Sequence, residues 1–251
     1  MATMRLRLLA IALLLALAPD VTSAQSRTRV WDIALGTPVE KLPQAEFVDP
    51  ACGTNGGPPS LPLGSFADFR RCPVESATGL REVWFIYDDE WEYIARAQRD
   101  PLEITRFSAN SMFRQPIITS LMIDDAGLVQ GFRVVTDPRA PIAVRMQAYL
   151  LFPILKGIVA AAPWECVDLP RDERERPFDI GTILKASCVM VGERRFARAE
   201  GRHLLKPGQE VGAIPRLLEQ AEGEFESSAR LEVYSRAAVS GASCCPTAAR
   251  R

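Results

Sequence analysis

Histidine is nearly missing from this chain: His203 is the single one in 251 residues. A serine or cysteine nucleophile needs a base beside it to take its proton, and a histidine-built metal centre needs several rings. His203 lies in "AEGRHLL", a basic stretch of strand character, and no serine stands in a G-x-S-x-G turn. It therefore reads as an imidazole on a strand, not as a catalytic group. Lysine is also scarce, at Lys41, Lys156, Lys185 and Lys206, and an excess of either charge is absent, with 30 Lys and Arg against 31 Asp and Glu. No global field draws nucleic acid, and no nucleic-acid partner is expected.

Other absences remove further chemistries. The stretch "ACGTNGGPPS", residues 51–60, has the glycine content of a phosphate loop but lacks its lysine and hydroxyl, and Pro58 and Pro59 remove two backbone donors. It reads instead as the corner of a loop, with Gly53, Gly56 and Gly57 supplying unusual backbone angles and Thr54 and Asn55 at the tip. Paired cysteine spacing of a zinc site and the alternating oxygens of a calcium loop are both missing, so neither metal nor cofactor is expected. The most apolar internal run, "IAVRMQAYLLFPILKGIVAAA", is interrupted by Arg145, Pro153 and Lys156. That predicts a buried helix kinked or divided before Pro153, with no transmembrane helix in the mature chain.

What is present begins with a leader. In "MATMRLRLLAIALLLALAPDVTSAQS", Arg5 and Arg7 precede an apolar run from Leu8 to Ala18, and Thr22, Ser23 and Ala24 offer a cleavage site. Residues 1–24 are expected to be a signal peptide, and the protein to be periplasmic or secreted. Cleavage leaves 227 residues, one large domain or two small ones. In an oxidising compartment cysteines favour bridges. Sequence proximity suggests Cys52 with Cys72 and Cys166 with Cys188, each closing a loop of about 20 residues and contributing ~3 kcal/mol in the chain-entropy model. Cys244 and Cys245 read as an incidental exposed pair, with a free, metal-binding or vicinally bridged pair as alternatives.

Along the chain, Thr37, Pro38 and Glu40 have the pattern of a capped helix start ending near Pro43. The segment "LGTPVEKL" resembles the opening of small exported helix-then-sheet modules of the beta-lactamase-inhibitor-protein type, which implies that order of elements and nothing about site residues. Residues 47–74 read as a long loop stapled at Cys52 and Cys72. "REVWFIYD" predicts a strand, followed by a helix capped by Asp88 or Asp89 in which Trp91, Ile94, Ala95 and Gln98 share a face. Two β-rich runs around Asp124 to Gly127 predict a hairpin over 116–136. "DPRAP" at 137–141 marks a boundary. Strands are expected at 166–169, in "GTILKASCVMV", in "RRFARAEGRHLL" and in "ARLEVYS", with a helix at 214–222. The predicted fold is therefore α+β, with small antiparallel sheets, packed helices and a division into similar subdomains at 25–137 and 138–236, ahead of a disordered tail at 237–251.

Two clusters are candidate sites. Asp88, Asp89, Glu90 and Glu92 could divide into acid and base or hold a cation, but carboxylates in a first helical turn also satisfy orphan N–H groups. Arg198 and Arg202, with Arg194, fall on one face of a strand, and could meet an anionic glycan, a lipid headgroup or an acidic partner. The chain thus reads as an exported, non-catalytic binding, inhibitory or envelope-accessory protein whose partner is an unidentified protein or envelope ligand. Its candidate contact residues are Thr54, Asn55, Asp88, Asp89, Glu90, Arg198 and Arg202. The alternative is an exported hydrolase using Asp88, Asp89 or Glu90, with or without a divalent cation.

Overall fold

The computed structural model describes residues 27–159, 162–178, 181, 183–209 and 225–239; the leader, the expected helix at 214–222 and the Cys244–Cys245 pair lie outside them. Nine strands form one antiparallel sheet where several small sheets were expected. They are β1 (Phe47–Cys52), β2 (Arg81–Tyr87), β3 (Ser111–Met112), β4 (Gln115–Ile123), β5 (Val129–Thr136), β6 (Glu165–Asp168), β7 (Leu184–Val191), β8 (Arg195–Leu205) and β9 (Phe225–Ser235). The order is β1-β2-β4-β5-β9-β8-β7-β6, with β3 paired to β4 off this path. Two meanders thus meet through their last strands, where Val134 of β5 stands opposite Leu231 of β9.

Strand β1 corrects the expectation of a loop from residue 47. Its alternation is hidden by a bulge between Val48 and Ala51, and by Pro50, which this edge tolerates because the segment outside it bonds the Pro50 carbonyl and the Cys52 N–H and asks no N–H of the proline. Both outer strands are held by cystines: Cys52 of β1 bonds Cys72, and Cys166 of β6 bonds Cys188 directly opposite on β7. The two expected pairings are those observed. Strand β6 is otherwise exposed along its length, Val167 at 63%, so the cross-link closes an edge that packing alone holds weakly.

The central hairpin forms where turn chemistry demands it. Asp124 Oδ1 accepts from the Ala126 and Leu128 N–H groups, each at 2.9 Å, and Gly127 adopts φ +81°. Period-two alternation then separates the sheet into two faces. Val83, Phe85, Leu121, Phe132, Val134, Leu231, Val233 and Ala199 belong to one continuous apolar core. Phe47 stacks on Phe85 with ring centroids 4.2 Å apart, and Phe66 meets both rings from a 3-10 turn at Phe66–Arg71. A fully buried side chain of this size contributes ~1.5–3 kcal/mol.

Four α-helices are described, α1 (Glu90–Gln98), α2 (Pro101–Phe107), α3 (Ile142–Arg145) and α4 (Leu151–Ile158), and α4 packs on that apolar face. Leu151, Phe152 and Leu155 of α4 enter the core, and Phe152 lies so close to β8 that a Cβ on Gly201 would stand 2.6 Å from its ring. The run expected to divide before Pro153 divides earlier, around Met146 and Gln147. Pro153 sits in the first turn of α4, where its missing N–H has no helical partner to lose. No helix among the described residues is long and apolar enough to cross a membrane.

Two further expectations are corrected. The helix at Thr37 is only a 3-10 turn, Val39–Lys41, and Thr37 Oγ1 donates to Ala34 O instead of capping it. Helix α1 buries Glu92 and Ala95, while Trp91 is 57% exposed and stacks on Phe107 of α2. Of the expected tail at 237–251 the structure describes residues 237–239, and Val239 packs with Leu80, Met122, Phe196 and Tyr234. Helix α2 itself was unforeseen although its start is legible: Asp100 accepts from the Leu102 and Glu103 N–H groups, and Pro101 takes the first position.

Candidate functional site

The second face of the sheet carries charge at its centre, beside the smaller apolar cluster of Met122, Phe196 and Tyr234. Register sets the rows: Ser120, Arg133, Glu232 and Arg198 stand successively opposite one another, and so do Val135, Arg230, Glu200 and Ser187. Opposite signs on neighbouring strands stabilise such rows. At their centre Arg133 is only 2% exposed, a large desolvation cost for a cation. Glu82, Glu75 and Glu232 surround it at 2.7, 2.9 and 2.9 Å, and the Tyr234 hydroxyl lies at 3.3 Å. The Nη1–Glu82 contact is an ion pair without hydrogen-bond alignment. Burial alone would lower the Arg133 pKa; Glu82, Tyr234, Glu232 and Glu75 more than offset it, so the guanidinium stays charged.

This centre explains the glycine-rich corner. Glu82 Oε2 and Oε1 accept from the Asn55 and Gly56 N–H groups, at 2.5 and 3.2 Å. The loop's amides are therefore turned toward an anion, and the anion is the protein's own carboxylate. Of the three glycines only Gly56 has positive φ, with Asn55 also left-handed. Gly53 is required for room instead, since a Cβ there would lie 2.3 Å from Glu82 Cγ. Thr54 is exposed and bonds Pro58 O at 2.7 Å. Asn55 is engaged through its backbone and side-chain oxygens by Arg230, which also pairs with Glu232.

Beside Arg230 the polar face opens into a cleft of about 400 Å³. Its wall includes Arg202 and Glu200 of β8, Ser228 and Arg230 of β9, with Arg145 of α3 and Lys206 at the strand ends. Of the residues expected to bind, the structure brings together Arg202 in the wall and Asn55 behind Arg230. Arg198 is held by Glu200 at 2.5 Å, and Arg202 by Glu226 at 3.0 Å.

The acidic candidates lie elsewhere. Asp88 Oδ1 accepts from the Glu90 N–H at 3.1 Å, a turn-forming role, and Glu90 is exposed. Asp89 precedes α1 without a side-chain cap bond and borders a second cleft, of about 270 Å³, with Glu92, Tyr93, Asn110 and Ser111. There Glu92 is held by Arg96 at 2.6 Å. Among the described residues no three His, Cys, Asp or Glu side chains gather as a metal site requires. His203 is buried on β8, stacked on Tyr149 at 3.9 Å with Phe178 edge-on at 5.0 Å.

Sequence reasoning missed Arg133, Glu82, Glu232, Arg230, Arg145 and Lys206. One signal was available: "REVWFIY", "VQGFRVVT" and "ARLEVYS" each place a charge inside a run of β-branched and aromatic residues. A charge in such a run requires a partner from another strand. Comparison with protein-family models, with curated proteins and with solved structures finds no match for this chain.

Proposed function

We propose that this protein is an exported, non-catalytic binding module whose ligand occupies the cleft on the polar face between β5, β8 and β9. The observation that carries the reading is the cleft itself: a concave site of small-ligand size, with one wall residue, Arg230, tied through Glu232 to the buried ion network around Arg133. Rigid scaffolds of this kind present recognition groups at low ordering cost. The basic start, short apolar run and small residues of the leader support export, and so do two cystines. Each meander's first strand carries a cystine, which supports the division into similar subdomains near residue 137.

Thermal-shift screening of the mature chain against small ligands tests the reading, because a ligand that binds only the folded state raises its stability. A stabilising ligand is expected to be recovered chemically intact by mass spectrometry, and to lose its effect in Ser228→Trp, which fills the cleft. Recovery of a hydrolysed ligand would instead favour catalysis, for which Asp89 in the second cleft is the candidate to replace with Asn. An undiminished shift in Ser228→Trp would remove the cleft from the function.

A further inference from the structure

We infer that the cleft on the polar face takes a phosphate ester, with its anionic oxygens at Arg145, Arg202, Arg230 and Lys206 and an apolar substituent against Val135, Pro138 and Phe225. The inference rests on the binding reading above and adds the chemistry of the ligand. Its first support is a break in the cross-strand pattern. The rows through Arg133 and Arg230 alternate in sign, but in the next row Arg202 stands opposite Lys185, so this end of the polar face gathers cations and keeps its carboxylates Glu175 and Glu226 engaged with that one pair, at 2.6 and 3.0 Å.

The second support is charge count at the wall. Four cations border the cleft against two carboxylates, Glu200 and Glu226, and each carboxylate already pairs with an arginine. Among the described residues Arg145 and Lys206 have no carboxylate partner. The excess of two positive charges matches a phosphate monoester, which carries nearly two negative charges at neutral pH. Arginine forks suit its oxygens in bidentate fashion.

The third support is how Arg145 is held. Its Nη1 donates to Pro138 O at 3.0 Å and its guanidinium lies over the Phe225 ring at 5.7 Å, which fixes this cation in the cleft wall without a carboxylate. The volume of about 400 Å³ exceeds that of a bare ion, and Val135, Pro138 and Phe225 give one side an apolar wall. The ligand therefore carries more than its phosphate.

Such an ester is either a soluble metabolite or a lipid headgroup, and the test separates the two. Calorimetric titration of the mature chain with hexyl phosphate is expected to show binding that weakens with added salt. The double variant Arg145→Gln/Lys206→Gln should lose about tenfold or more in affinity per cation removed. Arg174→Gln, a cation removed from an exposed loop, should bind as the native chain does. Ser228→Glu, which places a carboxylate in the cleft without touching Arg145, should abolish binding and covers the case in which the double variant misfolds by circular dichroism. Co-sedimentation with phosphatidic acid vesicles, and not with phosphatidylcholine vesicles, would assign the headgroup; binding of hexyl phosphate alone would assign a soluble ester. No binding of either probe, or equal binding by native chain and folded variants, overturns the inference. If a neutral or cationic ligand then stabilises the chain and is lost in Ser228→Trp, the binding reading survives without it.

Discussion

Strand β5 shows both faces of the sheet within four residues. Phe132 and Val134 enter the apolar core, while Arg133 and Val135 between and beyond them face the charged side. The two sides reach burial by different physics. On the apolar side any well-packed hydrocarbon gains from leaving water, and contacts are numerous and individually weak. On the charged side each ion carries a desolvation cost that only a partner of opposite sign at close range offsets. The apolar face should therefore respond in proportion to the atoms removed, and the charged face according to which partner is left behind.

Removing Arg133 should have the largest effect. Arg133→Ala leaves Glu82 and Glu75 without their cation and Glu232 with Arg230 alone, and a loss of about 3–5 kcal/mol in urea unfolding is expected. Leu121→Ala, deleting a fully buried side chain on the other face, should cost about 3 kcal/mol. If the leucine change proved much the costlier, the network would be an accessory and not a foundation of the fold. A matched pair of added methyl groups sharpens the contrast. Gly201→Ala presses on Phe152 and Gly53→Ala on Glu82, each at a cost of about 1–3 kcal/mol. Only Gly53→Ala should also speed hydrogen exchange at the Asn55 and Gly56 amides, which it displaces from Glu82.

Acid titration separates the faces without mutation. Burial raises the Glu232 pKa, but the Arg230 and Arg133 guanidiniums more than offset it and leave the carboxyl below its ordinary 4.5. The folded state thus binds fewer protons than the unfolded state there. The stabilisation from Glu232 is complete above that ordinary value and is lost as pH falls through the lower folded value. Unfolding midpoints measured on descending pH should fall less steeply in Glu232→Gln than in the native chain, whereas Leu121→Ala should keep the native slope. Smallest of all is Arg202→Gln. Its pair with Glu226 has both partners about one-third exposed, so stability should change by less than about 1 kcal/mol, even where ligand affinity changes greatly.

Local chemistry made much of the fold legible. The strand at 81–87 showed in its β-branched and aromatic run, the hairpin in Asp124 and Gly127, and the cystines in cysteine spacing. Strand β1 was not legible because Pro50 and a bulge disguised its period, and α2 was overlooked despite Asp100 and Pro101. The site was half visible. Arg202 and Asn55 stood out as surface chemistry, but the exposed Asn55 also holds Arg230, and Asp88 in the acidic run forms a turn contact with Glu90. Arg145 and Lys206 carry no local sign of their role, since charge at a strand end or short helix is ordinary.

Sequence alone determined what depends on neighbours within a few residues: turns at Gly127, alternation along β7 and β8, and the pairing of nearby cysteines. Tertiary structure alone decided that the two meanders meet through β5 and β9, and that Glu82, Arg133 and Glu232 from three strands close on one another. The reason is the range of the forces involved. A turn or a cap is settled by the backbone beside it, whereas a buried charge is stable only beside partners that the complete sheet delivers.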